Sequence, residues 1–158
     1  MDLLFFFEWL DNSMLASLSK AWGGVFAVVQ TIHLASLALL GGMVIVLSLR
    51  LLNILMRDIP ADVVVASTRP WINRALIAIT LSGIYQASAV AIKLYYNSFF
   101  WSKMIAFFMG IAFLYGVMYP LLSRGTAQLP PWTVRLMACA SLVIWFSVAA
   151  TGRWIGFS

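Results

Sequence analysis

Long apolar runs alternate with short polar segments along the whole chain. Charged residues mark the ends of four such runs, and no formally charged residue lies inside any of them. Each run reaches or approaches the roughly 17–25 residues that a helix needs to cross a bilayer. The pattern therefore predicts an all-α, four-helix transmembrane bundle, with spans at about residues 21–50, 72–93, 103–123 and 134–153.

The first ten residues, Met1–Leu10, are apolar but too short to cross a bilayer. Three consecutive phenylalanines and Trp9 give this segment a strong preference for an apolar environment. We therefore predict a short interfacial helix that lies on the membrane surface. Asp11–Ser13 should end this helix and supply an N-cap for the helix that follows.

The linker Asn53–Pro70 is the most polar part of the chain. Ile59–Asp62 has the pattern of a helix break followed by a restart, and Pro70 is expected to end this segment. A short amphipathic connector is the predicted structure, with the second span starting after the proline.

The composition agrees with an integral membrane protein of one domain, residues 1–158. Of the 158 residues, 63% are hydrophobic and only 9% are charged, whereas a soluble domain carries about 25% charged residues. The net charge is +5. Because the basic residues lie singly at the ends of apolar runs and form no cluster, they indicate membrane flanks and argue against nucleic-acid binding.

The basic residues also predict an orientation. Six lie beside the first and third linkers, and four lie on the opposite side. The two groups are Arg50, Arg57, Arg69, Arg74, Arg124 and Arg135, against Lys20, Lys93, Lys103 and Arg153. Since cytoplasmic loops carry the excess of Lys and Arg, both termini are predicted to lie outside.

His33, the single histidine, is the most informative polar residue within a span. At about 100° per residue it shares a helix face with Gln30 and Ser48, and Gly41 on the same side permits close approach of another helix. Because unpaired polar groups are costly in lipid, this face is predicted to point into protein.

Three interpretations of His33 compete. It is a neutral histidine that bonds across helices, an axial ligand of haem iron, or a proton-relay or substrate-site residue. A bis-histidine haem site needs a second histidine, which a homodimer would supply. The alternative sixth ligand is Met109 or Met118, and the sequence does not choose between them.

The second span carries its own polar line, in which Ser82, Gln86 and Lys93 share a face. Lys93 and Lys103 lie at one membrane surface, where they would hold a haem propionate or a lipid phosphate, or simply act as snorkelling flanks. The candidate cofactor-binding residues are His33, Gln30, Gln86 and Lys93, and the candidate metal ligand is His33.

The spans contain no Asp or Glu, and the chain has no recognisable catalytic set, so it is not expected to be an enzyme by itself. The sharpest hypothesis is a haem-b-binding electron-transfer subunit with His33 as axial ligand. One alternative is a non-catalytic structural subunit of a larger membrane complex. Another is an oligomeric transporter or channel for small solutes, lined by Gln30, His33, Ser82 and Gln86. Small-residue helix faces favour a homo-oligomer or a complex.

Several short motifs carry a family resemblance over about residues 25–120. They are Ile32-His33-Leu34, Gly41-Gly42, Leu49-Arg50-Leu51-Leu52, Pro70-Trp71, Ser82-Gly83, Asn97, Phe99 and Lys103. With them the chain resembles a group of small bacterial four-span membrane proteins of unassigned function. The chain departs from that group at Ser48, where similar proteins often carry an Asp. The resemblance implies a bacterial inner membrane and four helices, and it implies no reaction.

Overall fold

A computed structural model describes residues 3–125 and 128–157, and these residues are almost entirely helical. Met1 and Asp2, at the start of the predicted interfacial helix, lie outside the described residues. The helices are α1 (Leu4–Asp11), α2 (Met14–Ala21), α3 (Gly23–Leu51), α4 (Ala61–Ala89), α5 (Ala91–Tyr95), α6 (Ser98–Phe113), a π-helical segment (Leu114–Met118), α7 (Tyr119–Leu122), α8 (Pro131–Trp154) and a 3₁₀ turn (Ile155–Phe157). The predicted all-α class is confirmed for the described part of the chain.

Three helical segments are long and apolar enough to cross a membrane. They are Gly23–Leu51, the continuous helix Ser98–Leu122, and Pro131–Phe157. Large apolar side chains project outward from them, including Ile105, Val143 and Phe146, which are 65%, 66% and 77% exposed. Such exposure is typical of a lipid-facing surface, because in water it would form an aggregation-prone patch.

Helix α4 is as long as α3, at 29 residues, but it is more polar. The helix starts at Ala61 after Pro60, as the predicted restart requires, and it then continues through Pro70. The prediction that Pro70 ends this segment is therefore wrong. A proline inside a helix removes only one backbone hydrogen bond, here to the exposed Ala66, and the buried Ile72 and Ala75 hold the next turns in the bundle.

The N-terminal helices pack beside the short helix α5. Phe7 of α1 is buried, with its ring centroid 5.5–6.0 Å from those of Tyr95, Phe100 and Trp101. Ser13 accepts a hydrogen bond from the Ala16 amide at 3.2 Å, so the predicted N-cap of the next helix is confirmed. This aromatic cluster joins the N-terminal helix to the turn before α6.

The core is built by two pairs of helices, α3 with α4 and α6 with α8. Leu40, Val44 and Leu47 of α3 are buried in the same cluster as Ile72 and Ile79 of α4. The second pair approaches closely at Gly110 of α6. A Cβ atom on Gly110 would lie 3.0 Å from Cζ2 of Trp145 and 3.2 Å from Cγ2 of Ile144.

Replacing Gly110 with alanine is expected to destabilise the protein by about 1–3 kcal/mol, because the new methyl group overpacks the contact with the Trp145 ring. Thermal unfolding in detergent measures the effect. Gly42→Ala is the matched control, since a Cβ at Gly42 meets no atom within 4 Å. Equal melting temperatures for the two variants would contradict this account of the α6–α8 contact.

Polar side chains connect the π-helical segment to α4. The Tyr115 hydroxyl donates a hydrogen bond to Oδ1 of Asn73. The guanidinium of Arg69 lies over the Tyr119 ring, 4.9 Å from its centroid. These contacts fix the end of the bundle where α4 begins and the helix Ser98–Leu122 ends.

Candidate functional site

His33 is the first buried residue of α3. Residues 21–32 are all exposed or partly exposed, so the packing of this helix against the bundle begins at His33. The side chain is 8% exposed. A polar residue at this boundary lies beside a stretch of helix that no described element covers.

The His33 ring is oriented by a chain of hydrogen bonds on α4. Its Nδ1 lies 2.8 Å from Oγ of Ser82. The Ser82 hydroxyl also lies within hydrogen-bond distance of the carbonyl of Ala78, to which it donates. Because one hydroxyl has a single proton, the Ser82 oxygen must accept from His33, which places the imidazole proton on Nδ1. Nε2 then carries the free lone pair.

Gly83 gives the ring its place against α4. A Cβ atom at this glycine would lie 3.4 Å from Cε1 of His33 and 3.9 Å from Nδ1. The Nδ1–Cε1 edge of the ring thus rests on the α4 backbone, and Nε2 lies on the side of the ring away from Ser82. This orientation is the one in which an imidazole binds a metal through Nε2.

Lys103 of α6 is a second polar residue at this level of the bundle. Its charge acts on His33, so the two side chains lie within electrostatic range. Its Nζ and Cε atoms lie 3.5 Å from the position of a Cβ on Gly152, so the lysine side chain runs over the α8 backbone. The site therefore combines side chains from α3, α4 and α6 against a glycine of α8.

The sequence pattern placed Lys103 at the membrane surface, as an anion-binding residue or a snorkelling flank, because the third span was predicted to start at residue 103. The helix in fact begins at Ser98, where Asn97 caps it by accepting hydrogen bonds from the amides of Phe99 and Phe100. Lys103 thus lies more than one turn inside the helix. The Asn97 cap was the signal that would have placed it there.

Of the two predicted glutamines, Gln86 lies at the His33 site and Gln30 does not. Gln86 is partly buried, and its Nε2 donates a hydrogen bond to the Ser82 carbonyl at 3.3 Å, so it belongs to the same wall of the site. Gln30 is exposed, one turn before the packed part of α3. The predicted face points into protein at His33 and Ser48, which are both buried, and the prediction is wrong at Gln30.

Lys93 is also exposed, on the short helix α5. The prediction that it continues the polar face of Ser82 and Gln86 fails, because α4 ends at Ala89 and Val90 leaves the helical conformation with a φ of −136° and a ψ of 32°. Helix α4 therefore ends short of residue 93, the predicted end of the second span.

Neither methionine considered as a sixth ligand lies at His33. Met118 is buried in the π-helical segment, fifteen residues or about 22 Å along the helix from Lys103. Met109 is 51% exposed on the outer surface of α6. Neither Met109 nor Met118 is therefore a second ligand at His33.

An apolar groove of about 470 Å³ lies elsewhere, between α3 and α8. It is lined by Gly41, Val44, Phe146 and other residues of these two helices. Gly41 is eight residues from His33, or about 12 Å along α3, so the groove and the His33 site are separate. Ser48, the third member of the predicted polar line, is fully buried, and its hydroxyl has no partner among the described residues.

Comparison with known proteins gives a family match over nearly the whole chain. The family of unknown function DUF6644 matches residues 6–158. No curated protein and no solved structure was found to match the chain. The match agrees with the resemblance to an uncharacterised family drawn from the sequence motifs.

Proposed function

The chain belongs to DUF6644, a family of unknown function, and from its own residues we propose that it is a haem-b-binding electron-transfer subunit of a bacterial inner membrane. The observation that carries the proposal is the bond between His33 Nδ1 and Ser82 Oγ at 2.8 Å. Histidines that bind metals almost always donate their other ring N–H to a neighbouring acceptor, and this bond fixes the tautomer and the ring orientation.

The proposal includes α4 as a fourth membrane span, in addition to the three helices that are long and apolar enough to cross. Lys103, near the start of α6, lies within electrostatic range of His33 in the first half of α3. The end of α3 at Leu51 is eighteen residues further on, about 27 Å along the helix. The chain must therefore return to the first side between α3 and α6, and α4 is the element that runs back. We include α4 as the fourth span.

The surroundings of His33 fit a haem group held at the surface of one copy. Ahead of His33 on the same helix face, α3 provides the apolar side chains of Phe26 and Val29, which are partly buried. His33 of a second copy is the proposed sixth ligand, which makes the site complete only in a homodimer. Haem in such a site supplies one-electron transfer, and the protein supplies imidazole ligation and an apolar enclosure.

Haem titration tests this proposal. Ferric haem added to the haem-free protein in detergent should produce a sharp Soret band that saturates at one haem for two chains. Saturation at one haem per chain would mean that the sixth ligand is an external group and not His33 of a second copy. It would leave His33 as the ligand from this chain. Absorbance that rises without saturation, as for haem in empty detergent, would contradict the haem proposal.

The uncovered part of α3 also favours a second candidate, a structural subunit that packs against a larger membrane complex. Val25 and Val28 are exposed and lie ahead of His33, where the buried part of α3 begins, so they are suited to contact with another protein. Purification from native membranes in mild detergent should then yield stable partners besides this chain. Recovery of the chain alone, with bound haem, favours the electron-transfer role.

A further inference from the structure

Lys103 is a partly buried cation that the haem ligation by His33 does not use. It lies in α6 with a partly buried side chain that crosses Gly152 of α8. A lysine near a helix end usually extends its ammonium group to the membrane surface. Here the side chain lies against α8, where Gly152 has no side chain of its own in contact with the lysine.

No described carboxylate pairs with Lys103. Asp11 forms an ion pair with Lys20 at 2.8 Å. Asp58 and Asp62 lie at the start of α4, at the other end of the bundle. Lys103 acts electrostatically on His33, which contributes no negative charge. The cationic side chain therefore stands without an anionic partner within the described part of the chain.

Withdrawing an ammonium group from water without a partner is unfavourable, so a lysine packed inside a bundle is normally paired with an anion. Arg153 lies beside Gly152 in sequence and adds a second positive charge to this end, with its guanidinium 4.4 Å from the centroid of the Phe157 ring. The local excess of positive charge is the condition in which an external anion is held.

We infer that Lys103 is the anchor of a binding site, beside His33, for an anionic oxygen group, either a carboxylate or a phosphate. The group enters from outside the chain as a free carboxylate, as the phosphate of an anionic lipid, or as a propionate of the haem that His33 ligates. The first two sources do not depend on the proposed haem function.

Three paired comparisons identify the source. The first two comparisons measure the melting temperature of haem-free protein in neutral detergent. One compares acetate with chloride at equal ionic strength, and the other compares added phosphatidylglycerol with added phosphatidylcholine. A ligand that binds only the folded state raises the melting temperature. In the third comparison, ferric haem is titrated against haem dimethyl ester, which lacks free carboxylates.

In each pair the acidic member is the one with a free carboxylate or an anionic phosphate, namely acetate, phosphatidylglycerol or ferric haem. In at least one pair, this member should bind wild type about tenfold or more tightly than its counterpart, as expected for a charge-assisted hydrogen bond. Lys103→Arg should keep this preference and Lys103→Met should lose it. Lys93→Met is the matched control, because Lys93 is an exposed lysine on the neighbouring helix. Gly152→Val, which displaces the Lys103 side chain without removing its charge, should also lose the preference and serves if Lys103→Met does not fold.

Wild type that prefers the acidic member of none of the three pairs would overturn the anion site. Equal preference in wild type and Lys103→Met would overturn it as well. Failure of the haem proposal has a different signature, in which neither haem nor its ester binds while the acetate and lipid comparisons keep their outcome.

Discussion

Replacement of His33 by alanine is expected to abolish saturable haem binding and the associated Soret band. His33 is the only histidine of the chain, and its Nε2 is the free imidazole nitrogen at the site. Without it the iron loses its axial ligand from each copy, and the affinity falls to that of haem in detergent. Absorption spectra of wild type and variant, at equal haem and protein concentrations, measure the loss.

Two further variants separate ligation from general disruption. Ser82→Ala removes the acceptor of the Nδ1–H bond and should weaken haem binding by about 10–100-fold while keeping a band. Ser67→Ala, at an exposed serine of the same helix fifteen residues from Ser82, should leave haem binding unchanged. A Soret band of wild-type intensity in His33→Ala, in protein that remains folded and monodisperse, would refute His33 as the ligand.

A cysteine at position 58 and a cysteine at position 96 are expected to be labelled from opposite sides of the membrane. Asp58 precedes α4 and Tyr96 follows α5, and both residues are exposed. If α4 crosses the bilayer, these two positions lie on different sides. The charge distribution predicts in addition that the side of Asp58 is the cytoplasmic one.

The measurement uses Asp58→Cys and Tyr96→Cys, each in a Cys139→Ser background, because Cys139 is exposed and would itself react. A membrane-impermeant maleimide should label Tyr96→Cys in intact cells, and Asp58→Cys only after the membranes are opened. Labelling of both positions in intact cells would contradict a spanning α4. The reverse pattern would keep four spans and overturn only the predicted orientation.

The features that were predictable from the sequence are those that depend on neighbouring residues alone. Charge-free apolar runs located α3, α6 and α8, because burying an ionised side chain in lipid is costly and charges therefore mark span ends. The Ser13 cap was predictable from residue type alone. The interior position of Pro70 was not, since the tertiary contacts of Ile72 and Ala75 outweigh the loss of one hydrogen bond.

The site was only partly predictable for a related reason. Periodicity places Gln30 and His33 on one helix face, but it does not show where the covering helices begin. Only the packing shows that cover starts at His33, with Ser82 and Gly83 as its partners. The role of Lys103 depends on its approach to Gly152, a contact between residues far apart in sequence.

His33 is proposed to hold haem in the membrane, and the absorption spectrum of the natively expressed, detergent-purified chain is the most direct test. We expect a Soret band in the oxidised protein that shifts and sharpens on reduction, as low-spin haem b does. A haem-supplemented culture that yields folded protein with no such band would contradict it.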